Sequence, residues 1–416
     1  MRTGFFGRTA VGRVAFAAIA CAAALGFSDA SPAQTKDVKI AVVVPLSGPW
    51  ARNGELELKG ARLAADQINA SGGVKALGGA KIKLIVGDAG DRVETAKSAM
   101  ERIVSQNPDL SGGTGAFLSS FTLAVTEISE RAKLPWLTLS YSDQITSRGY
   151  QYVFQTSATA SRMANDALPV ILDIAKRAQA PVPKTVGIVM DNTASPVSFT
   201  KAMRDGGFAK ANLKLVVDEV FTPPLSDATS LVQRVRNARP DLLFLLTTNV
   251  PDTKLLVEKI NEMGLGHGRM PIITNGGHMG APELLQAVGK DELDGVMVII
   301  GNWGGKGQET LIKSFKDATH EPWMTQDSVS SYGDVMLIRD AIEQAKSADA
   351  QKVGAALHAM DTTQGAANYF PGPKLHFDAA GHRVDAALVV LQWQKGEPVP
   401  VYPPSLATSS AAWPKH

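Results

Sequence analysis

The sequence has one cysteine, no cluster of like charge and none of the usual catalytic spacings. The thiol, Cys21, lies in a stretch expected to be removed, so the remaining chain can hold neither a disulfide nor a thiolate metal site. Seven histidines are scattered without metal-binding spacing, and no metal or cofactor is expected. The P-loop pattern, H-E-x-x-H, G-x-S-x-G and a post-strand G-x-G-x-x-G are all missing, which removes the common NTPase, zinc-protease, hydrolase and dinucleotide readings. Ser198 to Lys201 fits S-x-x-K, but no partner motif accompanies it. No catalytic residue is therefore assigned.

Residues 1–33 combine Arg2, Arg8 and Arg13 with an apolar run from Val14 to Phe27 and the small residues Ser31-Pro32-Ala33. That is the pattern of a cleavable secretory signal, with cleavage expected after Ala33; lipidation at Cys21 is the alternative. The run is too short for a good membrane span. Without this segment, 42 basic and 40 acidic residues become 39 of each, so no nucleic-acid footprint is expected. About 380 remaining residues exceed one ordinary core, and two domains are expected.

What the chain does have is an alternation of short β-branched runs with longer helical ones, which predicts parallel βαβ units and an α/β fold. Val38–Val44 reads as the first strand, Trp50–Gly54 as a loop and Leu56–Asn69 as a helix. A second series starts at Thr185, with strands ending at Asp191, at Leu246 before Thr247-Thr248-Asn249, and at Thr274 before Asn275-Gly276-Gly277-His278. Phe199–Lys210 reads as a helix. The tail after Gly396, rich in proline, serine and alanine, is expected to pack poorly. Two βα series of similar size suggest two doubly wound lobes.

The most informative stretch runs from Gly112 to Asp143. It reads as a strand end, a Gly-rich turn, Ser119 and Ser120, a helix, and a second strand closing in Ser140-Tyr141-Ser142-Asp143. One of the two serines can cap the helix, and its first-turn amides suit a carboxylate or another small anion. In a parallel sheet the two strand ends lie side by side, so both turns can hold the head of one small polar ligand. The competing reading is that the serines only cap a helix.

Five segments together resemble the periplasmic solute-binding proteins of ABC importers, in their leucine/isoleucine/valine-binding branch. They are KIAVVVPLSGPWARNGELELKGARLAADQINASGGV, GTGAFLSSFTLAV, LPWLTLSYSDQITSRGYQYVFQT, SSYGDVMLIRDAIEQA and LHFDAAGHRVDAALVVLQWQKGE, and they span nearly the whole chain after residue 33. The resemblance implies a type I fold of two doubly wound, mainly parallel lobes joined by a three-segment hinge. The lobes are expected at 34–155 plus 303–378 and at 156–302 plus 379–416. It also implies a periplasmic monomer that binds a small-molecule solute and hands it to an inner-membrane ABC permease, without enzymatic activity. A soluble ligand sensor for a receptor is the first alternative, an amide or ester hydrolase the second.

Carried over by position, Ser119 or Ser120 matches the family's carboxylate-binding serine, Ser142 its ligand-touching threonine, and Tyr141 its usual alanine; Ser140 belongs to the same turn. Trp50 falls where the family often places an aromatic side chain, with a buried structural role as the alternative. Asp191 and Ala194 take the place where amino-acid binders commonly carry an aspartate and then a tyrosine, and that tyrosine is absent here. Where the family uses an acid to pair with the ligand ammonium, this chain offers Asn275-Gly276-Gly277-His278, with Thr247, Thr248 and Asn249 expected as neutral hydrogen-bond partners. An unpaired buried ammonium costs several kcal/mol, so a non-amino carboxylate, aromatic in view of Trp50 and Tyr141, or an amide-like solute competes with an amino acid.

Overall fold

The β-branched runs become strands, and the computed structural model describes residues 36–266 and 269–413. The expected signal segment, Cys21 and His267 lie outside the described residues. β1 (Val38–Val44), β2 (Ile82–Asp88), β3 (Leu110–Gly115), β4 (Trp136–Thr138) and β5 (Val153–Gln155) form a parallel sheet in the order β2-β1-β3-β4-β5. β6 (Thr185–Asp191), β7 (Lys214–Phe221), β8 (Leu242–Leu246), β9 (Ile272–Asn275) and β10 (Met297–Ile300) build a second parallel set. β11 (Asp361–Thr362) and β12 (Leu375–His376) form a small antiparallel pair. β13 (Val389–Gln394) and β14 (Glu397–Tyr402) add antiparallel to β10, giving the order β14-β13-β10-β9-β8-β6-β7.

Strands covered by helices on both faces must be apolar on both. All but Lys39 of β1 and the whole of β8 are buried, and two apolar clusters flank each sheet. The strand orders fix where a ligand can enter. β1 lies between β2 and β3, and β6 between β7 and β8, so the connections diverge at these points and leave a crevice at the carboxyl ends of the strands. The chain passes from the first sheet to the second after β5, returns after β10 and crosses again before β13. This is the two-sheet, three-crossing α/β architecture expected.

Helices Ala51–Ala70 and Gln326–Ala345 lie against each other under the first sheet. A Cβ on Gly60 would stand 2.0 Å from the Ser328 carbonyl oxygen, so glycine lets the two backbones touch. The first of these helices starts at Ala51, where a loop was expected through Gly54. The reason is tertiary: a Cβ on Gly54 would lie 1.8 Å from the Pro45 carbonyl oxygen, so the glycine is a close-approach residue inside a helix.

The helix expected over Phe199–Lys210 starts earlier, at Ala194, and its regular geometry breaks at Asp205 and Gly206 (φ 130°). Helix Ala160–Arg177, with Pro169 inside it, was not anticipated. Nor is the tail loose: β14 pairs with β13, Gln392 donates to the Ala412 carbonyl and Trp413 is buried. Pro398 and Pro400 sit on an edge strand, where a missing N–H on the outer side costs no ladder bond.

Candidate functional site

β3 ends in three successive residues with positive φ, Gly115 (115°), Ala116 (73°) and Phe117 (47°). Glycine is required at the first, because its Cβ would lie 2.3 Å from the Val43 carbonyl oxygen. Ala116 and Phe117 carry real backbone strain, of the kind that collects at functional sites. This kink aims helix Ser119–Arg131 at the crevice. The expected serine cap does not form: Leu118 is the N-cap and no side chain caps the helix. Ser119 Oγ instead accepts the Ser142 amide at 3.1 Å. The first-turn amides therefore face the crevice uncapped, with the helix dipole behind them.

Ser140 ties the second strand end to this kink, donating to the Phe117 carbonyl (2.9 Å) and meeting Thr122 Oγ1 at 2.7 Å. Tyr141 is buried; its hydroxyl bonds Gln326 Oε1 and accepts the Gly301 amide at 3.1 Å, joining the two halves at the second crossing. Burial pushes its phenol well above the usual range.

In the second half, Asp191 closes β6 and accepts the Thr193 amide (3.0 Å), the Thr193 hydroxyl (2.7 Å) and the Thr248 hydroxyl (2.7 Å). Burial raises its carboxyl above the usual range despite these bonds. Asn249 caps helix Val250–Glu262, accepting the Asp252 amide at 2.8 Å and donating to the Asp252 carboxylate at 2.7 Å, so both ends of its amide are engaged locally. β9 delivers Asn275, which is 2% exposed and whose Nδ2 has no partner. Gly276 turns the chain at φ 100°. His278 Nε2 meets Thr247 Oγ1 at 3.0 Å, and burial depresses the imidazole to about 3, leaving it neutral.

The two halves touch around the crevice. Ser142 Oγ lies 3.0 Å from Ser198 Oγ, the Ala194 amide donates to Ser120 Oγ at 3.5 Å, and Arg52 Nε lies 2.6 Å from Glu283 on helix Pro282–Val288. Between them is a cavity of ≈ 40 Å³. Of the residues expected from sequence, Ser119, Ser140, Tyr141, Thr248, Asn275 and Gly276 line it, whereas Trp50, Ser120, Ser142, Asp191, Ala194 and Asn249 do not. Ser120, Ser142 and Ala194 stand in the contacts that close it. Trp50 is buried edge-to-face on Phe121, with ring centroids 5.7 Å apart.

Sequence reasoning did not assign Phe117, Leu118, Leu139, Ser195 and Gln326 to this wall, whereas Thr247 was expected to reach the cleft and Gly277 and His278 belong to the segment expected in place of the family's acid. The first three flank assigned serines and could have been inferred from them; Gln326 comes from a distant helix and carried no signal. No residue of the wall is acidic or permanently charged. The cavity offers hydroxyls, amides and apolar surface, which suits one small anion and leaves an ammonium without a countercharge. No group of three or more His, Cys, Asp or Glu side chains is arranged for a metal among the described residues.

A family model described as periplasmic binding protein matches residues 37–398. The Leu/Ile/Val-binding protein homolog 7 of Brucella melitensis is 29% identical over 409 residues, covering 95% of this chain and 99% of that protein. Among solved structures, the leucine-binding protein LivK of Thermotoga maritima superposes with a TM-score of 0.74 at 19% identity, over 87% of this chain and 97% of the other. A solute-binding protein of R. palustris in complex with benzoate gives 0.72 at 16%, over 90% and 99%. With its two sheets, three crossings and a cleft at the carboxyl ends of the strands, the chain belongs to the periplasmic binding proteins, with a type I fold.

Proposed function

We propose that this protein is the non-enzymatic substrate-binding component of an ABC importer, which captures a small carboxylate without an amino group and delivers it to an inner-membrane permease. The observation that carries the reading is the uncharged cavity wall beside the uncapped amides of helix Ser119–Arg131. A carboxylate there receives the Ser119 hydroxyl and first-turn N–H groups without needing a buried cation. An α-amino acid would bury its ammonium against neutral groups, because Asp191 already accepts three hydrogen bonds and lies outside the wall. The benzoate and 4-hydroxybenzoate complexes among the structural neighbours are compatible with such a ligand.

The lobes are residues 34–155 plus 303–378 and residues 156–302 plus 379–416, working as a monomer in the periplasm after removal of residues 1–33. Closure follows from differential affinity, because only the closed form offers the ligand contacts from both lobes. Ser119→Ala tests the head site. Losing a hydroxyl bonded to a charged group costs about 1.5–3 kcal/mol, so calorimetry should show carboxylate affinity falling roughly 10- to 100-fold. Unchanged affinity would remove Ser119 from the site.

A further inference from the structure

The Asn275 side-chain nitrogen is a donor in search of an acceptor. The residue is 2% exposed, ends β9 and lines the cavity, yet its Nδ2 has no hydrogen-bond partner in the protein. A buried unsatisfied N–H₂ is costly, and such groups in a ligand cavity are satisfied by what binds there. No neighbouring hydroxyl is placed to accept from it: Thr247 meets Thr253 and His278, Thr248 donates to Asp191, and Tyr141 bonds Gln326 and Gly301. Ser119 and Asn275 line the same cavity of ≈ 40 Å³, so one small ligand can meet both.

We infer that Asn275 is the specificity-determining residue that reads a second oxygen acceptor next to the ligand carboxylate, making a 2-oxo acid the preferred substrate class. The inference rests on the carboxylate reading above. A keto oxygen accepts from Nδ2; a methylene leaves that N–H₂ unsatisfied; an ammonium cannot accept from it and has no countercharge in the wall. Sites built to hydrogen-bond a ligand group reject analogues lacking it because the buried partner is left unpaired.

The test uses ligand-stripped full-length mature protein and two matched series: 4-methyl-2-oxopentanoate, 4-methylpentanoate and leucine, then phenylpyruvate, 3-phenylpropanoate and phenylalanine. In at least one series, calorimetry should show the 2-oxo acid binding ten-fold or more tighter than the deoxo acid, with the amino acid weakest. Asn275→Ala should bring the first ratio close to one, because the keto oxygen loses its donor and the deoxo acid no longer leaves one unpaired. Asn275→Asp should lose the 2-oxo acid and gain the amino acid. Acids that bind with the same ratio in wild type and Asn275→Ala would overturn the role of Asn275 and spare the carboxylate reading. Binding of the amino acids alone, or of nothing in either series, would overturn both.

Discussion

Asp327 offers a quantitative test of how the two long helices are packed. It occupies the first turn of helix Gln326–Ala345, where the dipole ordinarily favours a carboxylate. Here it is fully buried; Oδ2 accepts Asn53 Nδ2 at 2.9 Å, and Oδ1 has no partner and faces Gly277, whose Cβ would stand 2.1 Å away. Burial dominates and pushes the carboxyl up to about 7. The unfolded chain ionises near the ordinary value of 3.8. Between those limits the folded state binds more protons than the unfolded one, so stability falls as pH rises from about 4 through about 7.

A shift of roughly three pH units amounts to about 4 kcal/mol, of which about 3 kcal/mol falls between pH 5 and pH 8. Asp327→Asn cannot ionise, yet keeps an acceptor for Asn53. Urea denaturation at the two pH values should show wild type losing about 3 kcal/mol more than the variant. Parallel pH dependences would refute the burial argument. Glu57, with both carboxylate oxygens unpaired, and Asp334, pushed up to about 7, titrate in the same direction in both proteins, and the Asp327 charge, which helps raise Glu57, contributes to the difference through that coupling.

Two further outcomes follow from contacts around the cleft. Trp50→Ala should cost about 3–5 kcal/mol of stability through the lost packing on Phe121, while changing the affinities of aromatic and aliphatic acids by similar factors. A selective loss of aromatic ligands in calorimetry would return Trp50 to the cavity. Glu283→Gln removes the contact from Arg52 across the cleft and should raise the dissociation constant by roughly two- to five-fold at low salt, with less effect at high salt; an unchanged constant would mean the pair does not help closure.

Much of this was legible in the sequence because parallel strands covered on both faces announce themselves as continuous apolar runs. β1 and β8 are of that kind, and the hydroxyl-rich turns that follow strands marked the crevice. What was not legible depends on contacts between distant segments. Ala116 and Phe117 take left-handed conformations that only glycine would have signalled, and it is this kink, rather than a serine cap, that aims the helix. Asn53-Gly54 looks like a loop until Pro45 is seen against Gly54. Glu57, Asp327 and Asp334 look like solvated helix charges, and only tertiary contacts bury them: the packing of the two helices, with Thr114 of β3 against Asp334 and Gly277 against Asp327. The tail reads as loose because proline is depleted in strands; an edge strand tolerates it.

The central claim, that the cleft takes a carboxylate and not an amino acid, is tested most directly by thermal melting of the mature protein after unfolding and refolding to strip carried-over ligand. A ligand at about a hundred times its dissociation constant adds roughly 2.7 kcal/mol of stability, visible as a raised melting temperature. Leucine, isoleucine, valine and phenylalanine should leave the melt unchanged, while amino-free acids of matching skeleton, 2-oxo acids and benzoate-type acids among them, should raise it. A shift with the amino acids alone would contradict the account and require an acidic partner for the ammonium that the uncharged cavity wall does not supply.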